Sequence, residues 1–146
     1  MLRQVLVVDP DADARCLLQQ ALQTLADVDD CADFPTARRR LLENRPDLLI
    51  TNGRLGAYNG LHLVYLASAA RLKTRCVVYA DHEDPRLARE TQAAGAFFES
   101  SQRLAYALPS YARSELPPRD RRSPAVFDRR RLSRGGRRAA DVAVRL

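Results

Sequence analysis

Val5-Leu6-Val7-Val8 is an unbroken apolar run rich in β-branched side chains, the pattern of a strand buried on both faces of a parallel sheet. It gives way to Asp9-Pro10-Asp11-Ala12-Asp13. Proline and acids suit a loop entering a helix N-terminus, where the dipole favours negative charge. Leu17, Leu18, Ala21, Leu22 and Leu25 recur at helical spacing and predict a helix over residues 12–25. Residues 27–32 form a weakly patterned strand candidate. A second helix opens at Pro35 and stops before Pro46, because a proline pushes the preceding residue out of the helical region. Leu48–Thr51 is the next strand, followed by a helix over 60–71 whose apolar members are Leu61, Leu63, Val64 and Leu66. Cys76–Ala80 reads as a strand, and Asp84-Pro85 as the N-cap and first residue of a helix reaching Ala94. Phe97-Phe98 marks a short last strand, and residues 104–112 a closing helix.

Strand and helix thus alternate five times along the chain, which predicts an α/β fold: a five-stranded parallel sheet with helices on both faces. Ligands of such sheets bind at the carboxyl ends of the strands. Those ends fall at Asp9-Pro10, Asn52, Ala80-Asp81 and Glu99-Ser100.

Charge divides the chain in two. Residues 1–112 carry 13 Lys+Arg against 14 Asp+Glu, a net −1, whereas residues 113–146 carry 11 Arg against 4 acids, a net +7. Past Leu116-Pro117-Pro118 large apolar residues become scarce, too few to offset the entropy of ordering. The expected organisation is a folded domain over 1–113 and an Arg-rich, disordered tail over 114–146. That tail is either a solvated spacer or a polyanion-binding arm. In the second case Arg121, Arg122, Arg129, Arg130, Arg131, Arg134, Arg137 and Arg138 are the binding candidates. Nucleic acid is one such polyanion. No helix-turn-helix pattern follows the domain and Phe127 is the tail's only aromatic residue, so sequence-specific reading and base stacking by the tail have little support.

The remaining chemistry is mostly exclusion. No stretch approaches the roughly 18 apolar residues of a membrane span, and the apolar run after Met1 is too short for a secretory signal. Three cysteines, Cys16, Cys31 and Cys76, are odd in number and far apart, as expected of free thiols in a reducing cytoplasm. Asp9-x-Asp11-x-Asp13 opens like a calcium loop, but Ala14 and Gln20 stand where such a loop needs Gly and Glu. His62 and His82 are isolated and read as solvated. The Asn52-Gly53 and Asn59-Gly60 pairs read as loop residues, not hairpin turns. No nucleophile–base pair or metal cluster is visible, so neither enzyme activity, a small-molecule substrate nor a cofactor is expected.

Three segments, VLVVDPDADAR, RPDLLITNGRLGAYNGLHLV and AAGAFFESS, resemble in order and spacing the receiver domain of bacterial two-component response regulators. The resemblance covers residues 1–113. It implies a flavodoxin-like sheet of strand order 2-1-3-4-5 and a pocket in which two acids hold Mg²⁺, an aspartate accepts the phosphoryl group, and a hydroxyl and a lysine contact it. Hard oxygen ligands suit magnesium, and a carboxylate is needed to form an acyl phosphate. Matched residue by residue, the first acid is Asp9, but the second falls on Pro10 and the acceptor on Asn52. The hydroxyl position falls on Ala80, and the lysine position on Ser100 once the loop before Phe97 is taken as shortened by about two residues. The aromatic that reports phosphorylation falls on Phe97. The only lysine, Lys73, precedes the fourth strand, at the wrong end of the sheet. The resemblance therefore implies a pseudo-receiver that binds a protein partner, whether a histidine kinase, another regulator or itself, without phosphorylation. Binding of nucleic acid or another polyanion through the tail is the alternative.

Overall fold

The computed structural model describes residues 3–113; the expected tail, with every arginine named in it, lies outside them. The elements run β1 (Arg3–Val8), α1 (Ala12–Leu22), β2 (Ala26–Cys31), α2 (Phe34–Asn44), β3 (Leu48–Asn52), β4 (Arg54–Leu55), β5 (Tyr58–Asn59), α3 (Leu61–Ala69), β6 (Arg75–Ala80), α4 (Pro85–Ala93), β7 (Phe97–Ser100) and α5 (Ser101–Arg113). Five of the strands form one sheet of order β2-β1-β3-β6-β7, with every neighbouring pair parallel. Counted by sheet strands alone, this is the expected 2-1-3-4-5.

Strand alternation divides the core between two layers. Leu6, Val8, Leu49 and Val78 pack with Leu41 of α2, Leu63 of α3 and Leu87 of α4. Val5, Val7, Ile50 and Val77 point the other way, onto Leu18 and Leu22 of α1 and Leu104 and Leu108 of α5. β1, β3 and β6 sit between neighbours on both edges and are covered on both faces, which is why their sequences read as unbroken apolar runs.

Helix starts follow their caps. The carboxylates of Asp11, Asp33 and Asp84 accept from the backbone N–H groups of Asp13, Thr36 and Leu87, satisfying donors that a helix leaves orphaned. Ser100 does the same for α5, accepting from the Arg103 N–H at 3.3 Å. α5 therefore starts three residues before the predicted Leu104.

Two expectations need correction. The segment between β3 and α3 is not a plain loop: β4 and β5 pair antiparallel, Arg54 with Asn59 and Leu55 with Tyr58. The Asn-Gly pairs flank this small hairpin and its turn is Gly56-Ala57, where Gly56 supplies a φ of +66°. Leu17, predicted to lie on the apolar face of α1, is 67% exposed. Leu17 lies about 100° around the helix from Leu18, and only Leu18 and Leu22 of α1 are buried in the layer against the sheet.

Candidate functional site

The carboxyl ends of β1, β3 and β6 bring three side chains together. Val5 and Val7 face the α1/α5 layer, so Asp9, next in alternation, faces it too and is 2% exposed. A buried carboxylate needs hydrogen-bond donors, and Asp9 has three. The Asp11 N–H donates to one oxygen at 2.9 Å. The Asn52 amide nitrogen donates to the other at 3.2 Å, and so does the Tyr79 hydroxyl. Below them the Arg15 guanidinium donates to the Asp9 carbonyl at 2.7 Å and pairs with Asp30 at 3.4 Å.

Asn52 is oriented from both ends. Its nitrogen faces Asp9, while its oxygen accepts from the Arg54 N–H at 2.9 Å. A flipped amide would set oxygen against carboxylate and nitrogen against N–H. Burial, then the hydrogen bond to Asp9 and the charge of that carboxylate, raise the Tyr79 pKa well above the ordinary tyrosine range. The phenol therefore remains a donor at neutral pH.

This site does not suit the magnesium ion of the receiver resemblance. A hard cation would want carboxylate oxygens and water. Asp9 already carries three donors, Pro10 offers no side-chain ligand and is exposed, and Asn52 turns its nitrogen toward Asp9. Among the described residues no group of three or more His, Cys, Asp or Glu is arranged to hold a metal.

The other predicted positions are placed differently. Ala80 was expected at the hydroxyl position, but the β6 side chain that enters the pocket is Tyr79, whose Cα lies opposite Asn52 in the β3–β6 ladder. The reason is the period of a strand: Val77 and Tyr79 share the α1/α5 face, and Ala80 packs into the opposite layer. Ser100 pairs with Ala80 across β6 and β7 and its hydroxyl caps α5. Its neighbour Ser101 donates to the Asp81 carboxylate at 3.0 Å. Phe97 packs edge-on against Tyr111, ring centroids 5.5 Å apart, with the Arg75 guanidinium 5.4 Å from its ring centre. The Tyr111 hydroxyl in turn donates to Glu99 at 2.6 Å. Tyr79 is the residue that motif matching passed over; counting the strand by twos from Val77 would have found it.

Comparison with known proteins gives a fold-level answer. No family model matches the sequence, and no curated protein is similar to it. Solved structures are. The signal receiver domain assigned to a Luxo repressor protein of Vibrio parahaemolyticus superposes with a TM-score of 0.69 at 18% identity, covering 77% of this chain and 91% of its own. The signal receiver domain assigned to the response regulator NarL of Mycobacterium tuberculosis gives 0.68 at 19%, covering 78% and 98%. The chemotaxis response regulator CheY4 of Vibrio cholerae gives 0.61 at 19%, covering 75% and 98%. The described residues have the fold of response-regulator receiver domains, a flavodoxin-like sheet. None of their helices is long and apolar enough to cross a membrane.

Proposed function

We propose that this protein is a receiver-like signalling protein that takes up no phosphoryl group and acts by binding a protein partner. The observation that carries the reading is the closed Asp9–Asn52–Tyr79 arrangement. Where phosphoryl chemistry needs a carboxylate nucleophile and a cation, this chain has an amide whose nitrogen lone pair is delocalised, and neutral donors that occupy the Asp9 oxygens. Several carboxylates packed together would repel and need a cation; one carboxylate with three donors does not. The body then presents a fixed surface to a histidine kinase, another regulator or a second copy of itself.

The direct test is titration with magnesium and beryllofluoride, followed by amide spectra. Unchanged resonances around Asn52 are expected, and a saturable shift there would end the proposal. A variant sharpens it. Asn52→Asp restores an acid but leaves Pro10 after Asp9, the Tyr79 hydroxyl on Asp9 and no lysine at the end of β7. Incubated with acetyl phosphate and magnesium, it is expected to show no phosphorylated species by intact mass. A substantial adduct would mean that the pocket opens.

A further inference from the structure

A second cluster lies outside the pocket. Phe34 begins α2, Tyr58 lies in the β4–β5 hairpin and His62 lies in the first turn of α3. The Phe34 and Tyr58 rings are stacked, centroids 4.4 Å apart and 13° from parallel. His62, read from sequence as isolated, stands edge-on to both, at 6.0 Å and 82° from Phe34 and 6.3 Å and 81° from Tyr58. Phe34 is partly buried against the core layer, whereas Tyr58, stacked on its outer side, is 45% exposed and His62 is exposed. Tyr65, one turn further along α3, is 51% exposed as well.

The segments that carry the cluster are mostly basic, with Asp33, the cap of α2 beside Phe34, as an acidic neighbour. Residues 34–74 carry seven basic side chains against two acidic ones, a net +5, whereas residues 9–33 carry seven aspartates and one arginine, a net −6. Arg38 lies one helical turn beyond Phe34, on the same side of α2, Arg39 is beside it, and Arg54 opens the hairpin that holds Tyr58. All three are exposed. Among the described residues none has a carboxylate oxygen within 4.0 Å, in contrast to Arg40, which is held by Asp29 at 2.8 Å; the Arg39 charge does act on Asp33 from further away.

Stacked, partly exposed rings beside unpaired guanidiniums are the two components of single-stranded nucleic-acid binding: a π-face for a base and cations for the phosphates. We propose that the α2–α3 face binds single-stranded nucleic acid, with a base on Tyr58 and phosphates on Arg38, Arg39 and Arg54. An acidic peptide would satisfy the arginines but has no regular supply of flat rings for the aromatic platform, so the polynucleotide fits both halves of the surface. This function is separate from the closed pocket and does not depend on it.

The test uses the full chain and measures fluorescence anisotropy of labelled oligothymidylate and oligouridylate, with polyphosphate as a polyanion that has no bases. Comparing the two oligonucleotides distinguishes DNA from RNA as the source. Tyr58→Leu is expected to weaken oligonucleotide binding roughly tenfold or more while leaving polyphosphate binding unchanged. Arg38→Gln with Arg39→Gln is expected to lower the slope of log affinity against log salt by about 1.4, two single-strand phosphates' worth. Oligonucleotide binding that is absent, or that either folded variant leaves unaltered, overturns the proposal. In the latter case the arginine tail alone would be the binder. Thermal melts of both variants check folding, and should Tyr58→Leu not fold, the salt slope of the arginine pair decides.

Discussion

Replacing Gly60 with alanine is expected to destabilise the protein by about 1–3 kcal/mol. Local propensity points the other way. Gly60 has a φ of −56° and a ψ of −24° at the start of α3, a conformation any residue adopts, and alanine there would by itself add about 0.5–1 kcal/mol through the unfolded chain. The space decides the sign. A Cβ on Gly60 would lie 2.3 Å from the carbonyl oxygen of Asn52 and 3.2 Å from its carbonyl carbon, and backbone cannot swing aside as a side-chain tip can. The same stretch is tied to the pocket: the Gly60 N–H donates to the Gly53 carbonyl at 2.9 Å, and the Gly53 N–H to the Tyr79 carbonyl at 2.8 Å. Moving Asn52 therefore moves the groups around Asp9. Gly56 is the control. Its φ is +66° and nothing lies within 4 Å of a Cβ there, so Gly56→Ala should cost only the left-handed conformation, about 1 kcal/mol. Urea midpoints of the two variants separate the effects, and a Gly60→Ala protein as stable as the parent would show that the loop can stand off from β3.

Alkaline pH is expected to unfold the domain steeply. Burial pushes the Cys76 thiol up to about 12, from 9.0 for a free thiol. Tyr79 is raised above its ordinary 10.0 by burial and by Asp9. Both groups are neutral in the folded state at a pH where the unfolded chain has lost those protons. The unfolded state then binds fewer protons, so stability falls as pH rises. The contribution is present in full below the unfolded values and is lost progressively above them. Each group contributes a slope of about 1.4 kcal/mol per pH unit in that window, so the pair gives about 2.7 kcal/mol per unit above roughly pH 10. Cys31 and Tyr111, both raised by burial, add to that slope; urea unfolding across the alkaline range checks this, and Tyr79→Phe should lower the slope by about 1.4 kcal/mol per pH unit. A stability that stays level over that range would place the Tyr79 hydroxyl in contact with solvent.

The alternation of strands and helices was legible because each element carries its own period. Val5–Val8 and Leu48–Ile50, short apolar runs bounded by polar residues and proline, fit strands covered on both sides, and Asp84-Pro85 fits a helix start. Element ends were less legible. α1 stops at Leu22 and not at Leu25, because Leu25 lies at the turn into β2, where its N–H donates to the Leu22 carbonyl at 2.8 Å. The β4–β5 hairpin was missed because two-residue strands have too few positions to show a period.

The absence of carboxylates at Pro10 and Asn52 was readable residue by residue, since a side chain without a carboxylate cannot supply one wherever it lies. The charge division of the chain was readable for the same reason: it is a property of composition. What fills the vacated positions depends on packing. Tyr79 and Asp9 stand 70 residues apart in the chain, and only the parallel pairing of β1 with β3 and of β3 with β6 places their side chains on one face at one end of the sheet. The same holds for the second cluster, where Phe34, Tyr58 and His62 come from three different elements and meet because α2 and α3 cover the same layer. Local sequence determined which groups this protein possesses and where carboxylates are absent. Tertiary structure decided which of them touch, because contacts between distant residues follow from sheet order and register, and these are set by the burial of the whole chain.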